Sequence, residues 1–199
     1  MKTIDFLFDF GSPNAYLAHK VIPGIEKRTG ATFNYIPVLL GGIFKLTGNK
    51  PPAVAFGGVK GKMDYEMLET RRFIARHRIT QFNFNPNFPV NTLAIMRMAA
   101  AADKAGFLPR YTDAVFHHMW EAPRKMDDPD VIRAALAESG LDADALLAAA
   151  QKPQVKQALM DNTERAVGRG AFGSPTFFVG DEMYFGKNTL REIEEVLAA

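Results

Sequence analysis

The eight residues "GSPTFFVG" at positions 173–180 decide how the rest of the chain is read. A Gly-Ser pair followed by proline punctuates the chain, and Thr176, Phe177, Phe178 and Val179 are a β-branched and aromatic run of strand length. Pro175 therefore opens a strand. An X-Pro amide pays only about 0.5–1 kcal/mol for the cis form, so Ser174–Pro175 is a place where a cis bond is affordable. Gly180 and Asp181 form a turn into a second short run, "EMYFG" at 182–186, which predicts a hairpin. The closing segment "NTLREIEEVLAA" at 188–199 has helical spacing of its apolar residues.

At the other end of the chain, "TIDFLFDF" at 3–10 alternates Ile4, Phe6, Phe8 and Phe10 with Asp5, Leu7 and Asp9. That two-residue period predicts a strand, ended by Gly11. Ser12 followed by Pro13 fits a helix N-cap with proline at the first helical position. Tyr16, Leu17, Val21, Ile22 and Ile25 supply the apolar face of that helix, within which Pro23 is a kink site. After the "RTGA" turn at 28–31, "TFNYIPVLL" at 32–40 reads as a second strand, and Pro37 places it at a sheet edge or a bulge. Strand, helix, strand in this order predicts a parallel pair.

Between these ends the character changes. "GGIFKLTGNKPPAVAFGGVKGK" at 41–62 is rich in Gly and Pro and is expected to be a long loop around one short helical turn. From about Asp64 to Asp161 the apolar spacing is helical, in six segments. The expected organisation is a discontinuous unit of residues 1–40 and 168–199, interrupted by a connecting loop and helical insertion over 41–167. Strand, helix, strand, helical insert, hairpin, helix is the order of an α/β thioredoxin-like fold with a large all-helical insertion. In such folds the proline before the third strand faces the start of the first helix, which brings Pro175 opposite Ser12.

Composition limits the chemistry. The 199 residues carry a formal net charge of +2 and no cysteine. Without cysteine there is no disulfide, no thiolate metal site and no thiol nucleophile in the chain itself. The charges are dispersed and the aromatics are not interleaved with Lys or Arg, so nucleic acid is not an expected partner. No stretch approaches the roughly 20 apolar residues of a membrane span, and the apolar N-terminus alternates with aspartates as a strand does, not a signal peptide. His117 and His118 lack the spacing of a metal site and read as packing or surface residues.

Four stretches together resemble a known family: "FDFGSPNAYL" at 8–17, "GNKPP" at 48–52, "PVNTLAIMR" at 89–97 and "GRGAFGSPTFFVGDEMYFGKNTL" at 168–190. The chain is similar over nearly its whole length to the 2-hydroxychromene-2-carboxylate isomerases and kappa-class glutathione transferases, relatives of the DsbA-type bacterial disulfide oxidoreductases. In the redox relatives the first turn of the first helix carries a Cys-x-x-Cys pair; here Ser12, Pro13, Asn14 and Ala15 stand in those four places. The resemblance implies glutathione as cofactor, bound at Ser12, Pro13, Asn14, Asn49, Ser174, Pro175, Lys187 and Asn188. It gives Ser12 the task of holding the glutathione sulfur, Ser174 and Asn49 the cysteinyl backbone, and the 187–188 pair the γ-glutamyl end. Many members have an aspartate where this chain has Asn188, so the ammonium-pairing charge is missing; Asn188 is left to cap the last helix, and Lys187 to favour a carboxylate.

The physical reason for a sulfur site at Ser12 stands apart from the resemblance. A helix start offers free N–H groups and the positive end of the dipole, which favour a thiolate over a thiol. A hydroxyl there can donate to the anion. The activity implied is glutathione-dependent isomerisation of an unsaturated aromatic carboxylic acid, with glutathione transfer or peroxide reduction, and a noncatalytic glutathione or peptide binder, as alternatives. A homodimer in the cytoplasm is the implied setting. For the second substrate the insert offers Met63, Tyr65, Met67, Phe73, Phe82, Phe84 and Phe88 with Lys50, Lys62, Arg71 and Arg72, most of them expected to be ordinary core or surface.

Overall fold

A computed structural model describes residues 2–198. In chain order the elements are β1 (Thr3–Phe8), α1 (Pro13–Thr29), β2 (Thr32–Pro37), α2 (Leu40–Thr47), α3 (Pro52–Phe56), α4 (Lys62–His77), α5 (Leu93–Lys104), α6 (Leu108–Trp120), α7 (Pro129–Glu138), α8 (Ala143–Gln151), α9 (Pro153–Gly168), β3 (Thr176–Val179), β4 (Glu182–Phe185) and α10 (Leu190–Ala198). The strands form one sheet in the order β2-β1-β3-β4. β1 runs parallel to β2, from Thr3 opposite Thr32 to Phe8 opposite Pro37, and antiparallel to β3, with Leu7 opposite Thr176. β4 completes the hairpin. This is the thioredoxin-like arrangement expected from the sequence, and β2 is the edge strand that Pro37 requires.

The alternation along β1 sorts the sheet's two faces. Ile4, Phe6 and Phe8 belong to the large core with Phe33 and Phe177, where α1, α10 and the insert helices α5–α8 also pack. Leu7 belongs to a smaller cluster on the other side with Val38, Ile43, Ala166 and Phe178. That second cluster draws Ile43 from α2 and Ala166 from α9, so both ends of the inserted helical segment return to cover the sheet.

The Gly/Pro-rich stretch 41–62 corrects the expectation of a loop with one helical turn: it holds all but the first residue of α2, the whole of α3 and the first residue of α4. Two of its glycines lie inside α2, and Gly42 is there for contact. A Cβ on Gly42 would come within 3.1 Å of the Thr163 methyl on α9, so a bare backbone lets the two helices approach closely. The chain past α2 is different again. α3 buries no side chain and α4 buries only Phe73, leaving Val54, Phe56, Val59, Tyr65, Met67 and Leu68 exposed. A second cis bond, Phe88–Pro89, which the sequence did not lead us to expect, shapes the loop into α5.

Phe6 is fully buried between Tyr35, Phe177 and Phe8, with ring centroids 4.8, 5.1 and 5.8 Å away. Replacing it by alanine deletes contacts from the centre of the sheet. Phe6→Ala should lower the unfolding free energy by about 3–5 kcal/mol, read as a reduced urea midpoint with an unchanged slope.

Candidate active site

The site begins at the junction of two segments far apart in sequence. Ser12 is the N-cap of α1, with extended backbone and Pro13 at the first helical position. Its Oγ accepts a hydrogen bond from the Ala15 N–H at 3.1 Å and donates one to the Ser174 carbonyl at 2.9 Å. Ser174–Pro175 is cis, as the sequence led us to expect. The Ser174 hydroxyl accepts from the Asp9 N–H at 3.2 Å and donates to the Leu7 carbonyl at 3.4 Å. Pro13 has no N–H, while the Ala15 and Tyr16 amides both bond to Ser12. Asn14 is left as the first-turn amide with no acceptor among the described residues. A hydroxyl and an amide therefore stand at the positive end of a 17-residue helix.

Asn49 follows α2 and joins this junction indirectly. Its side-chain amide donates to the Phe172 carbonyl at 2.8 Å, two residues before Ser174, and its Oδ1 accepts the Lys50 N–H at 2.8 Å. Phe172 itself packs on Phe185 with ring centroids 4.4 Å apart, and both rings remain partly exposed.

Lys187 and Asn188 lie elsewhere. They line a cleft of about 140 Å³ between α1, α4 and α10, with Val21, Ile25, Phe73 and Glu194. Val21 is eight residues beyond Pro13, roughly 12 Å down the helix from its start. Lys187 is buried; its Nζ bonds Glu69 of α4 at 2.6 Å and lies 5.4 Å from the centre of the Phe73 ring. The carboxylate that Lys187 was expected to attract from a ligand is thus supplied by the chain itself. Asn188 sits within a 3-10 turn, Lys187–Thr189, that precedes α10. Among the described residues Asn188 makes no capping bond; the turn closes on itself instead, Thr189 donating to the Gly186 carbonyl from both its amide and its hydroxyl.

The structure also shows residues that the sequence did not single out for function. Asp9 is wholly buried beneath Ser12, and its carboxylate accepts the Gly11 amide at 2.8 Å and the Leu40 amide at 2.7 Å. Its only signal in the sequence was its phase: Asp5, Leu7 and Asp9 share one face of the strand, the face that α2 covers. Trp120 is buried with its indole N–H on the Phe10 carbonyl at 2.8 Å, and carries the exposed rings of Phe84 and Phe88 at 5.9 and 6.0 Å. One turn into α1, the Tyr16 hydroxyl donates to Glu121 at 3.0 Å. Burial raises the proton affinity of Glu121, but bonds from His117, Lys20 and Tyr16 outweigh it and hold the carboxyl below its usual range. Burial first, then the charge of Glu121, pushes the Tyr16 phenol well above its usual range. His117 is thereby engaged by Glu121, at 3.0 Å.

Comparison with known proteins gives the family. The DSBA-like thioredoxin domain matches residues 3–198. The chain belongs to that family. Within this DSBA-like family it is 29% identical over 197 residues to a 2-hydroxychromene-2-carboxylate isomerase of Sphingobium xenophagum, covering 98% of both chains. It is 25% identical over 184 residues to human glutathione S-transferase kappa 1, covering 87% of this chain and 79% of that one. A solved structure of a 2-hydroxychromene-2-carboxylate isomerase superimposes with a TM-score of 0.83 at 25% identity, over 98% of this chain and 94% of the other. A probable DsbA oxidoreductase of Streptomyces coelicolor, at 13% identity and TM-score 0.68, shares the fold. The resemblance read from the four sequence stretches is that of these relatives.

The Lys187–Glu69 pair fastens this DSBA-like chain's exposed α4 to the sheet domain. Removing the ammonium leaves Glu69 without its partner at a partly buried position. Lys187→Ala should cost about 2 kcal/mol, measured by urea denaturation, and should increase proteolytic cleavage within 57–72 before it affects the rest of the chain.

Proposed function

We propose that the protein is a glutathione-dependent isomerase acting on an unsaturated aromatic carboxylic acid. The observation that carries this reading is the Ser12 hydroxyl, standing at the start of α1 against the carbonyl that precedes Pro175, in a chain without cysteine. The site has the donors for a sulfur anion and no sulfur of its own. The likeness to isomerases and kappa transferases supports glutathione as the source.

The residues present suit such a ligand. Ser12 supplies a hydroxyl, Asn14 an amide without an acceptor among the described residues, and α1 the favourable dipole, all at one point. Bound glutathione would supply a nucleophile that adds reversibly to a conjugated double bond, leaving a single bond free to rotate before elimination restores the alkene; no net redox change occurs. Ser12 has to switch partners to take part, since its proton rests on the Ser174 carbonyl and must turn toward the sulfur. That carbonyl is then released to pair with the ligand's peptide backbone, while the Ala15 amide keeps the Ser12 oxygen in place. Pro13 and Pro175 follow Ser12 and Ser174 and have no N–H of their own, so the donors at the junction are the Ser12 hydroxyl and the Asn14 amide. Asn49, fixed on the Phe172 carbonyl, borders the same strip of backbone, and the far end of the ligand falls to Asn188, since Lys187 is already held by Glu69.

The kappa relatives favour a second reading, transfer of glutathione to an electrophile at the same site. Calorimetric titration with glutathione, followed by assays with hydroxychromene carboxylate and with a generic aryl halide, separates the two by product: an isomerised acid or a stable sulfur adduct. The absence of binding heat would overturn both. For Ser12→Ala, turnover should fall about 10²-fold with a much smaller change in glutathione affinity; unchanged turnover would remove Ser12 from the chemistry.

A further inference from the structure

We infer that Asp9 is the positioning residue of the sulfur site: its buried carboxylate and main chain tie together the segments bearing Ser12, Ser174 and Asn49, and its charge sets how readily a sulfur at Ser12 ionises. The inference rests on the reading that a glutathione sulfur occupies the Ser12 site.

An aspartate is almost never fully buried without a cationic partner, yet Asp9 is completely shielded and no cation among the described residues acts on it. Burial pushes its carboxyl up, opposed only by neutral donors: the amides of Leu40 and Gly11 and the side chain of Thr92. What it contacts explains why it is kept. One carboxylate oxygen takes the Gly11 amide, one residue before Ser12; the other takes the Leu40 amide at the start of α2, the helix that leads to Asn49. Its own N–H goes to the Ser174 hydroxyl, and its carbonyl accepts the Ser12 N–H at 3.0 Å. Thr92, at the start of α5, closes the remaining side: a Cβ on Gly11 would lie 3.1 Å from its methyl. Each polar atom of Asp9 therefore serves a different part of the junction.

A carboxylate is the group this arrangement demands. Two amide donors approach two separate oxygens, and asparagine offers one oxygen and one NH₂, so one of the amides would face a donor. Positions at such a site matter, since a displacement of about 1 Å can cost 10²-fold in rate. The charge matters too. A carboxylate beneath the first turn of α1 opposes a second negative charge at Ser12, so its removal should favour the thiolate. A residue that merely held the fold would leave that ionisation unchanged.

The test uses the full chain and glutathione, with binding followed by calorimetry, ionisation by the ultraviolet absorption of the bound thiolate against pH, and turnover with hydroxychromene carboxylate. Asp9→Asn should fold, lower turnover about tenfold or more, and move the thiolate transition to lower pH by about half a unit. Thr92→Val removes only a hydroxyl from the carboxyl and guards against a variant that does not fold; losing that donor makes Asp9 harder to ionise, so the transition should move in the same direction by less, with turnover reduced a few-fold. Wild-type protein that ionises glutathione, with folded variants that match it in turnover and transition, would overturn the role of Asp9 alone. Wild-type protein that binds no glutathione would overturn the sulfur site and this inference with it.

Discussion

A single hydrogen bond, from the Ser12 hydroxyl to the Ser174 carbonyl, spans 162 residues of sequence and fixes the junction between the start of α1 and the start of β3. It exists because β1 and β3 are neighbours, with Leu7 opposite Thr176, so the chain leaving one strand and the chain entering the other emerge side by side. Neither segment makes a site alone. A helix N-cap is ordinary, and a proline before a strand is ordinary; their juxtaposition sets a capping hydroxyl against a carbonyl from the other end of the chain.

The sheet keeps that juxtaposition rigid from both sides. On one face the rings of Phe6, Phe8 and Phe177 pack with Tyr35 and Phe116. On the other, α2 and α9 close over Leu7 and Phe178. α9 also meets the start of α2 with hydrogen bonds, Thr163 accepting the Leu39 amide at 3.0 Å and Asn162 donating to the Pro37 carbonyl at 3.1 Å. The inserted helices are therefore part of the frame behind Ser12.

Most of this frame was legible in the sequence because it depends on local signals. The β1 alternation, the Ser-Pro start of α1, the six apolar-periodic segments and the 173–180 stretch each state their own structure. What was not legible depends on what touches what. Gly42 looks like a loop residue until Thr163 is beside it, and Asp9 looks like the polar phase of a half-exposed strand until α2 covers that face. Lys187 shows the same limit most clearly, since its partner Glu69 lies 118 residues away on a helix with no sequence feature that announces the pairing. Asn188 was read as a cap because the helix period begins there, but the 3-10 turn shifts the true start of α10 to Leu190.

The sparse burial of α3 and α4 has an energetic meaning of its own. A sixteen-residue helix that buries only Phe73 and pairs one acid with Lys187 draws little of its order from the core. Its free energy of detachment is therefore small compared with that of global unfolding, and it belongs among the segments that open independently while the sheet stays intact. Exchange of its amides with solvent would proceed by that partial opening, on a scale set by one aromatic ring and one ion pair.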